Sequence, residues 1–159
     1  MITRILVAID HSEHSARAAT FATELGTKFG ASVTLLHVLD KVLGREQLKR
    51  YLASLEAAPD PNLVSIANVK RELSQSGEVE GIDLLARAKS EAQTAGVQDV
   101  ATSLHDGDPA TVILDQAYRG GFDVVVLGRR GMGSLKGLLT GSVSQKVAAW
   151  GKGTIVLVN

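Results

Sequence analysis

Short apolar runs alternate along this chain with longer segments of helical periodicity, and this alternation limits the possible folds more than any other feature. The runs at residues 2–9, 32–38, 99–104, 123–127 and 155–158 predict β-strands. Between them, apolar residues recur every three or four positions, as on one face of a helix. Strands that alternate with helices predict a parallel sheet. We therefore expect an α/β fold: a doubly wound, five-stranded parallel sheet with helices on both faces.

Local signals predict where two of the helices start and stop. The first helix is predicted to begin at Ser12 or Ser15 and to run to Phe29, with Gly30 in the place of a C-terminal cap. Asp108 precedes a proline and predicts a second helix start, because aspartate accepts bonds from free backbone N–H groups and proline suits the first turn. These signals are local and do not depend on the order of the strands.

The other helices are predicted from periodicity alone. Residues 80–95 and 142–150 predict two further helices, and residues 45–58 predict a short one. The predicted apolar side of the first consists of Ile82, Leu84, Leu85 and Ala86, and that of the second of Val143, Val147 and Trp150. The segment from Asp40 to Gly77 is otherwise polar and mixed. We expect it to be a surface excursion rather than a separate domain.

Composition excludes several classes of function. The chain has 159 residues, which predicts one domain with a single sizeable core, residues 1–159. Its 17 basic and 17 acidic residues cancel, which argues against general binding to nucleic acid or to an anionic membrane. No cysteine is present, so a disulfide framework, a thiolate metal site and a cysteine nucleophile are excluded. No leader or membrane-spanning stretch is visible, and we expect a cytoplasmic protein without membrane insertion.

A glycine-rich segment directly follows the fourth apolar run and is the strongest functional signal. It reads G-R-R-G-M-G-S-L-K-G-L-L-T-G-S from Gly128 to Ser142. Because glycine has no Cβ, such a loop can bring backbone N–H groups close to an anion, and Arg129 and Arg130 add positive charge. The segment predicts a phosphate site, although a simple chain reversal with solvated arginines accounts for the glycines about equally well. It is neither a P-loop nor a dinucleotide fingerprint.

The spacing of the glycines is more specific than their number. Gly128, Gly131, Gly141 and Ser142 fit the pattern G-x-x-G-x(9)-G-[ST], which resembles the nucleotide-binding motif of the universal stress protein family. The stretches R-I-L-V-A-I-D, V-T-L-L-H-V and G-D-P-A, in this order along the chain, resemble the family's first strand and loop, its second strand and the start of its third helix. The resemblance covers nearly the whole chain. It implies a Rossmann-like fold of the adenine nucleotide alpha hydrolase-like type.

The same resemblance implies a ligand and roles for individual residues. The ligand is ATP, or ADP or AMP, with or without Mg²⁺. Asp10 would lie near the ribose and indirectly near a metal ion, the backbone of Val38 would recognise adenine, and Gly128 and Gly131 would let the loop approach the phosphates. The remaining residues of the expected nucleotide site are Arg129, Arg130, Gly133, Gly141, Ser142, Val143 and Ser144. Without the resemblance, helix capping by Asp10 or Ser142 and core packing of Val38 explain these residues equally well.

No pattern in the sequence predicts a catalytic residue. His11 and His14 lie on either side of Glu13, but a third metal ligand is missing and we expect these residues to be solvated. His11 also stands where the family usually has glycine, and it would crowd the loop that receives the ribose. His37 is predicted to be a packed or hydrogen-bonded core histidine, and His105 to lie in a loop. No Ser-His-Asp or paired-carboxylate arrangement is evident, so we expect slow ATP hydrolysis at most.

The resemblance implies an ATP-binding stress-response or regulatory protein that works as a binding and signalling module. Two alternatives stay open: a slow nucleotide phosphohydrolase, and a regulatory protein that binds no nucleotide and works through protein contacts alone. The last strand, from Ile155 to Val158, is short, apolar and terminal, which predicts a position at the edge of the sheet. Pairing of this strand with its copy would form a homodimer, and a regulatory protein partner is expected in addition.

Overall fold

The computed structural model describes residues 1–40, 66–131 and 140–159, which form one five-stranded parallel sheet flanked by helices. The strands are β1 (Arg4–Ala8), β2 (Ser32–Asp40), β3 (Val100–Gly107), β4 (Val124–Gly128) and β5 (Thr154–Val158). The helices of the described residues are α1 (Glu13–Phe29), α2 (Ile66–Thr94), α3 (Pro109–Gly120) and α4 (Ser142–Trp150). The predicted doubly wound α/β fold is confirmed.

The order of the strands is β3-β2-β1-β4-β5, with all neighbours parallel. The chain moves outward from β1 through β2 to β3 and then returns to the other side of β1 to form β4 and β5. The order therefore reverses between β1 and β4. In open parallel sheets, ligands bind beyond the carboxyl ends of the strands at such a reversal. The end of β1 and the glycine-rich segment after β4 meet at this place.

Two apolar layers enclose the sheet because side chains of a strand alternate between its faces. Ile5 and Val7 of β1 are fully buried in the layer that contacts α1 and α2. Leu6 of β1 and Val125 of β4 belong to the second layer, with residues of α3 and α4. Since both faces are covered, the central strands β1 and β4 carry nearly continuous apolar runs, as buried parallel strands do.

The predicted helix boundaries at the polar caps are confirmed. Ser12 precedes α1, and its hydroxyl accepts a hydrogen bond from the Ser15 N–H at 3.2 Å. Gly30 closes this helix in the left-handed conformation, with φ of 62°. Asp108 precedes α3 and accepts from the Thr111 N–H at 2.9 Å. Short polar side chains and glycine therefore set these boundaries locally.

Several elements extend beyond their predicted bounds, and helix α2 and strand β3 do so most. Helix α2 begins at Ile66, whereas the sequence predicted a start at residue 80 after a polar excursion. Gly77 suggested a boundary, but a single glycine inside a helix costs only about 1 kcal/mol and does not end it. Strand β3 continues to Gly107 rather than ending at residue 104, because its backbone stays paired with β2 up to Asp40. The predicted short helix at residues 45–58 lies outside the described residues.

Two predicted apolar faces are also wrong in part. Ile82 is 52% exposed, because the buried stripe of α2 runs through Gly81 and Leu85 instead. Trp150, at the end of α4, is 68% exposed although Val147 one turn earlier is fully buried. Across the described ranges, we find no helix with the length and apolar character needed to cross a membrane.

Candidate nucleotide-binding site

The carboxylate of Asp10 and the backbone of Gly131 face each other at the reversal of strand order. An ideal Cβ placed on Gly131 would lie 2.7 Å from Asp10 Oδ2, which is closer than side-chain atoms tolerate. Gly131 does not adopt a positive φ, so the absence of a Cβ matters here through space rather than through backbone conformation. Asp10 therefore faces the glycine segment. Glycine at this position allows the carboxylate to approach the backbone of the loop closely.

Hydrogen bonds hold Asp10 in this orientation. Asp10 Oδ1 accepts from the Ser12 N–H at 2.9 Å, and the Asp10 N–H donates to Ser15 Oγ at 2.7 Å. The hydroxyl of Ser12 donates to the carbonyl oxygen of Arg130 at 3.3 Å. Ser12, rather than Asp10, is the N-terminal cap of α1. The loop after β1 is therefore tied both to α1 and to the glycine segment.

Gly128 has a packing role that the sequence did not predict. An ideal Cβ on Gly128 would lie 2.8–2.9 Å from atoms of His14 and Ser15 in the first turn of α1. These are largely backbone atoms, which cannot move aside as a flexible side chain would. The first glycine of the motif therefore lets α1 approach the end of β4, whatever else it does for a ligand.

The backbone N–H and C=O of Arg129 connect the glycine segment to β5 and to the start of α4. Its N–H donates to the Val158 carbonyl at 2.7 Å, and its carbonyl accepts from the Gly141 N–H at 2.8 Å. The buried hydroxyl of Ser144 lies 2.7 Å from the same carbonyl and 2.9 Å from the Gly141 carbonyl. A hydroxyl has one proton, so Ser144 donates within the protein in this conformation. The Gly141 N–H and the Ser144 hydroxyl, both expected to face a ligand, thus hold the loop together.

Among the described residues, no side-chain cap hydrogen bond closes the N-terminus of α4. Gly141 occupies the cap position in an extended conformation and supplies no side-chain cap. The N–H groups of Ser142 and Val143 lie in the first turn, where the backbone has no intrahelical acceptor and the helix dipole favours an anion. Ser142 is exposed and is the first residue of the helix rather than its cap. These two residues remain donors suited to a phosphate.

Positive charge lies beside this helix end. Arg129 and Arg130 are half-buried at the start of the glycine segment. The Nε of Arg130 is buried and has no hydrogen-bond partner among the residues that the structure describes. A buried N–H donor without an acceptor is rare in proteins and fits a site that an anion completes. Gly133, also expected in the site, lies outside the described residues.

Val38 lies near the end of β2 and on the face of the sheet that α3 and α4 cover. Its side chain is half-buried and packs against the apolar layer that contains Leu36 and Val147. Core packing therefore accounts for the side chain. The role expected for Val38 concerns its backbone at the strand end, and it stays a prediction.

Two histidines form a contact on the opposite face of the sheet. His37 is 8% exposed, and its Nδ1 lies 2.7 Å from the Ile9 carbonyl oxygen, as predicted for a hydrogen-bonded core histidine. The ring of His11 packs edge-on against it, with 5.9 Å between centroids and an angle of 74°. Within residues 1–40, 66–131 and 140–159, no group of three or more histidine, aspartate or glutamate side chains could hold a metal ion.

One pair of polar residues escaped the sequence analysis. His105 lies in strand β3, not in a loop as predicted, and its Nε2 is 2.9 Å from Ser103 Oγ. Residues two apart on a strand share one face, so this pair was detectable once the strand was known to reach that far. The early end predicted for β3 concealed it.

Asp108 brings a fixed negative charge to the start of α3. Hydrogen bonds from the Thr111 hydroxyl at 2.7 Å and from the Thr111 N–H lower the pKa of Asp108 below its usual 3.8, and Lys146 of α4 adds a smaller effect at 3.8 Å. The carboxylate is therefore ionised at neutral pH and accepts from one of the free N–H groups at this helix start.

The fold agrees with comparisons to known proteins. The model of the universal stress protein family matches residues 1–158, and the chain belongs to this family. The universal stress protein YxiE of Bacillus subtilis is 36% identical over 151 residues, which cover 93% of each chain. Such identity over nearly the full length supports one shared fold.

Solved structures agree with the fold at lower identity. UspA from Lactobacillus plantarum superposes with a TM-score of 0.78 at 22% identity, covering 99% of this chain and 97% of its own. A universal stress protein in complex with cAMP gives 0.67 at 20% identity, with 99% and 97% covered. The Archaeoglobus fulgidus protein in complex with dAMP gives 0.65 at 20% identity, and both chains are covered completely.

Proposed function

We propose that this protein binds an adenine nucleotide, ATP first of all, at the cleft between Asp10 and the glycine segment, and that it acts as a stress-response signalling module. The observation that carries the proposal is the close approach of Gly131 to Asp10 beside the uncapped start of α4. Membership of the universal stress protein family and the cAMP and dAMP complexes of two proteins of the same fold support an adenine nucleotide as the ligand.

The residues present fit such a ligand. The N–H groups of Ser142 and Val143, with the arginines of the segment, suit the phosphates. A carboxylate repels phosphate but accepts hydrogen bonds from hydroxyls, so Asp10 suits the ribose. The backbone of Val38 suits the base. A magnesium ion would arrive with the nucleotide phosphates, with Asp10 as its nearest acidic group, because the described residues offer no preformed metal cluster.

Calorimetric titration with ATP tests the proposal. Gly131→Val should lower ATP affinity by about tenfold or more, because its Cβ would displace the Asp10 carboxylate or the loop. Gly77→Ala is the matched control, since a Cβ there has no atom within 4 Å and ATP affinity should not change. Thermal melting checks that both variants fold. A wild-type protein that binds no ATP, ADP or AMP, or equal affinity in Gly131→Val, would contradict the proposal.

The chemical outcome of binding stays a prediction. The sequence shows no Ser-His-Asp or paired-carboxylate arrangement that would orient a water molecule for attack. We expect phosphate release well below the median enzyme rate of roughly 10 per second. Bound nucleotide would then be a lasting signal read by a regulatory partner, in the cytoplasm as the sequence predicts.

A homodimer through β5 is part of the proposal. Strand β5 forms one edge of the sheet, and its apolar residues from Ile155 to Val158 are only half-buried. An open apolar edge favours pairing with a second copy. Sedimentation at micromolar concentration should give a dimer, and Val156→Lys, which places a charge on the edge strand, should give a monomer. A monomeric wild-type protein would exclude this interface.

A further inference from the structure

The Ser103–His105 pair lies at the same edge of the sheet as the proposed nucleotide site. Both residues are half-buried, and Ser103 Oγ is 2.9 Å from His105 Nε2. In the register of the sheet, His105 pairs with Val38 and Ser103 pairs with Leu36. Leu36 and Val38 belong to the layer under α3 and α4, so the histidine and serine project to that face as well.

Asp10 lies just beyond the end of the neighbouring strand. Ala8, the last residue of β1, pairs with Leu36, and Asp10 follows it by two residues. His105 and Val38 therefore form a row across the ends of β3 and β2, and Asp10 follows the carboxyl end of β1, the next strand of the sheet. The start of α4 opens beside them on the face to which Val38 and His105 belong, because Val147 of this helix packs in that layer.

The spacing of the strands relates this row to the parts of a nucleotide. Neighbouring strands are about 4.8 Å apart. With its phosphates at the end of β4 and its ribose at Asp10 on β1, a nucleotide would place its base over β2. The outer edge of the base would then point at β3, where His105 lies.

We propose that His105 contacts the edge of the nucleotide base and contributes to recognition of a purine. This inference rests on the proposed nucleotide binding. Ser103 engages Nε2 and leaves Nδ1 as the ring nitrogen that can reach a ligand. The serine hydroxyl either donates to Nε2 or accepts from it, so Nδ1 presents a proton in one case and a lone pair in the other. A purine edge offers both acceptors and donors, as adenine does with N7 and N6.

Displacement of a fluorescent ATP analogue by ATP and by inorganic tripolyphosphate separates the base from the phosphates. His105→Ala should lower the affinity for ATP by about five- to tenfold, which corresponds to one lost hydrogen bond. The affinity of His105→Ala for tripolyphosphate should stay at the wild-type value, whereas Gly131→Val should bind both ATP and tripolyphosphate more weakly. His105→Asn, which retains a polar group near Nδ1, should recover part of the ATP affinity.

Thr102→Ala is the control on the same strand. Thr102 is exposed on the opposite face of β3, so its substitution should change the affinity for neither ATP nor tripolyphosphate. Unchanged ATP affinity in folded His105→Ala would overturn the inference and leave the proposed function intact. An equal loss of ATP and tripolyphosphate would also overturn it, because the histidine would then act on the phosphate loop. Absence of ATP binding in the wild type would overturn both proposals.

Discussion

Helices α3 and α4 both start at the carboxyl edge of the sheet, but among the described residues only α3 has a side-chain cap. Asp108 closes the start of α3, where its carboxylate accepts from the N–H and the hydroxyl of Thr111. Gly141 stands at the same position before α4 and contributes no side chain. Every helix start presents N–H groups without intrahelical acceptors. Among the described residues, Asp108 supplies a side-chain acceptor for α3 and no side chain caps α4, which suits α4 to an anion from outside.

The surroundings sharpen this contrast. The start of α3 carries its own negative charge, so a phosphate would be repelled there. The start of α4 lies beside Arg129 and Arg130, one of which has a buried N–H without a partner in the described part of the chain. The two helix ends thus differ in charge as well as in capping. This difference, rather than the mere presence of a helix end, is the reason that we propose α4 and not α3 as the phosphate side of the site.

Closing the open helix end should have the largest effect. Gly141→Asp would install a cap like that of α3, and the space permits it because a Cβ there meets its neighbours at 3.4–3.5 Å. We expect ATP affinity to fall by about tenfold or more through charge repulsion. The free energy of unfolding should rise by a few tenths of a kcal/mol. Calorimetry and urea denaturation measure the two effects.

Gly141→Asn separates charge from capping. Asparagine caps a helix about as well as aspartate but is neutral. Its loss of ATP affinity should therefore be clearly smaller than that of aspartate. If both variants bind ATP as well as the wild type, the start of α4 is not the phosphate site.

Removing the cap of α3 should lower the free energy of unfolding by about 1 kcal/mol. Asp108→Ala leaves the Thr111 N–H and hydroxyl without their acceptor, and urea denaturation at neutral pH should report the loss. The pKa of Asp108 is lower in the folded protein than its usual 3.8. The stabilisation is therefore complete above that value and is lost as the pH falls through the lower, folded-state pKa.

The difference between wild type and Asp108→Ala should accordingly narrow below about pH 4. Asp108→Asn is the control, because it caps the helix without titrating. A difference between wild type and Asp108→Ala that stays constant down to pH 2 would show that the carboxylate charge adds nothing to the cap.

The cap of α1 should give the smallest effect. The Ser12 hydroxyl accepts from Ser15 at 3.2 Å and donates to Arg130 at 3.3 Å, and both contacts are long. Ser12→Ala should lower the free energy of unfolding by about 0.5 kcal/mol. It should lower the affinity for ATP by about two- to threefold, because the glycine segment loses one hydrogen bond to the loop that carries Asp10. Ser12→Thr keeps the hydroxyl and should restore both values, and failure to do so would assign the effect to packing.

Much of the fold follows from local sequence. The apolar runs predicted all five strands, and the caps at Ser12, Gly30 and Asp108 marked helix ends correctly. These features succeed because each depends on interactions within a few residues. The predicted end of β3 was wrong because it depends on a distant part of the chain. Backbone pairing with β2 continues the strand through His105, and no local sequence pattern indicates that pairing.

The candidate site was predicted only through the family's glycine spacing. The motif identified Gly128, Gly131 and Gly141, but not the reason for each. Gly128 is needed where α1 approaches β4, and Gly131 where Asp10 approaches the loop. Both reasons involve residues more than a hundred positions apart in the chain. Periodicity and capping rules contain no information at that separation.

The sequence by itself determined the number and type of strands, most helix boundaries and the presence of a loop able to approach an anion. These properties arise from side-chain alternation, cap chemistry and the missing Cβ of glycine. Only the tertiary structure decided that β1 lies between β2 and β4 and that Asp10 meets Gly131. It also decided that His105 stands beside Val38 and Ser103 beside Leu36. Strand order is set by how distant helices pack on the two faces, so these neighbours exist only in the folded protein.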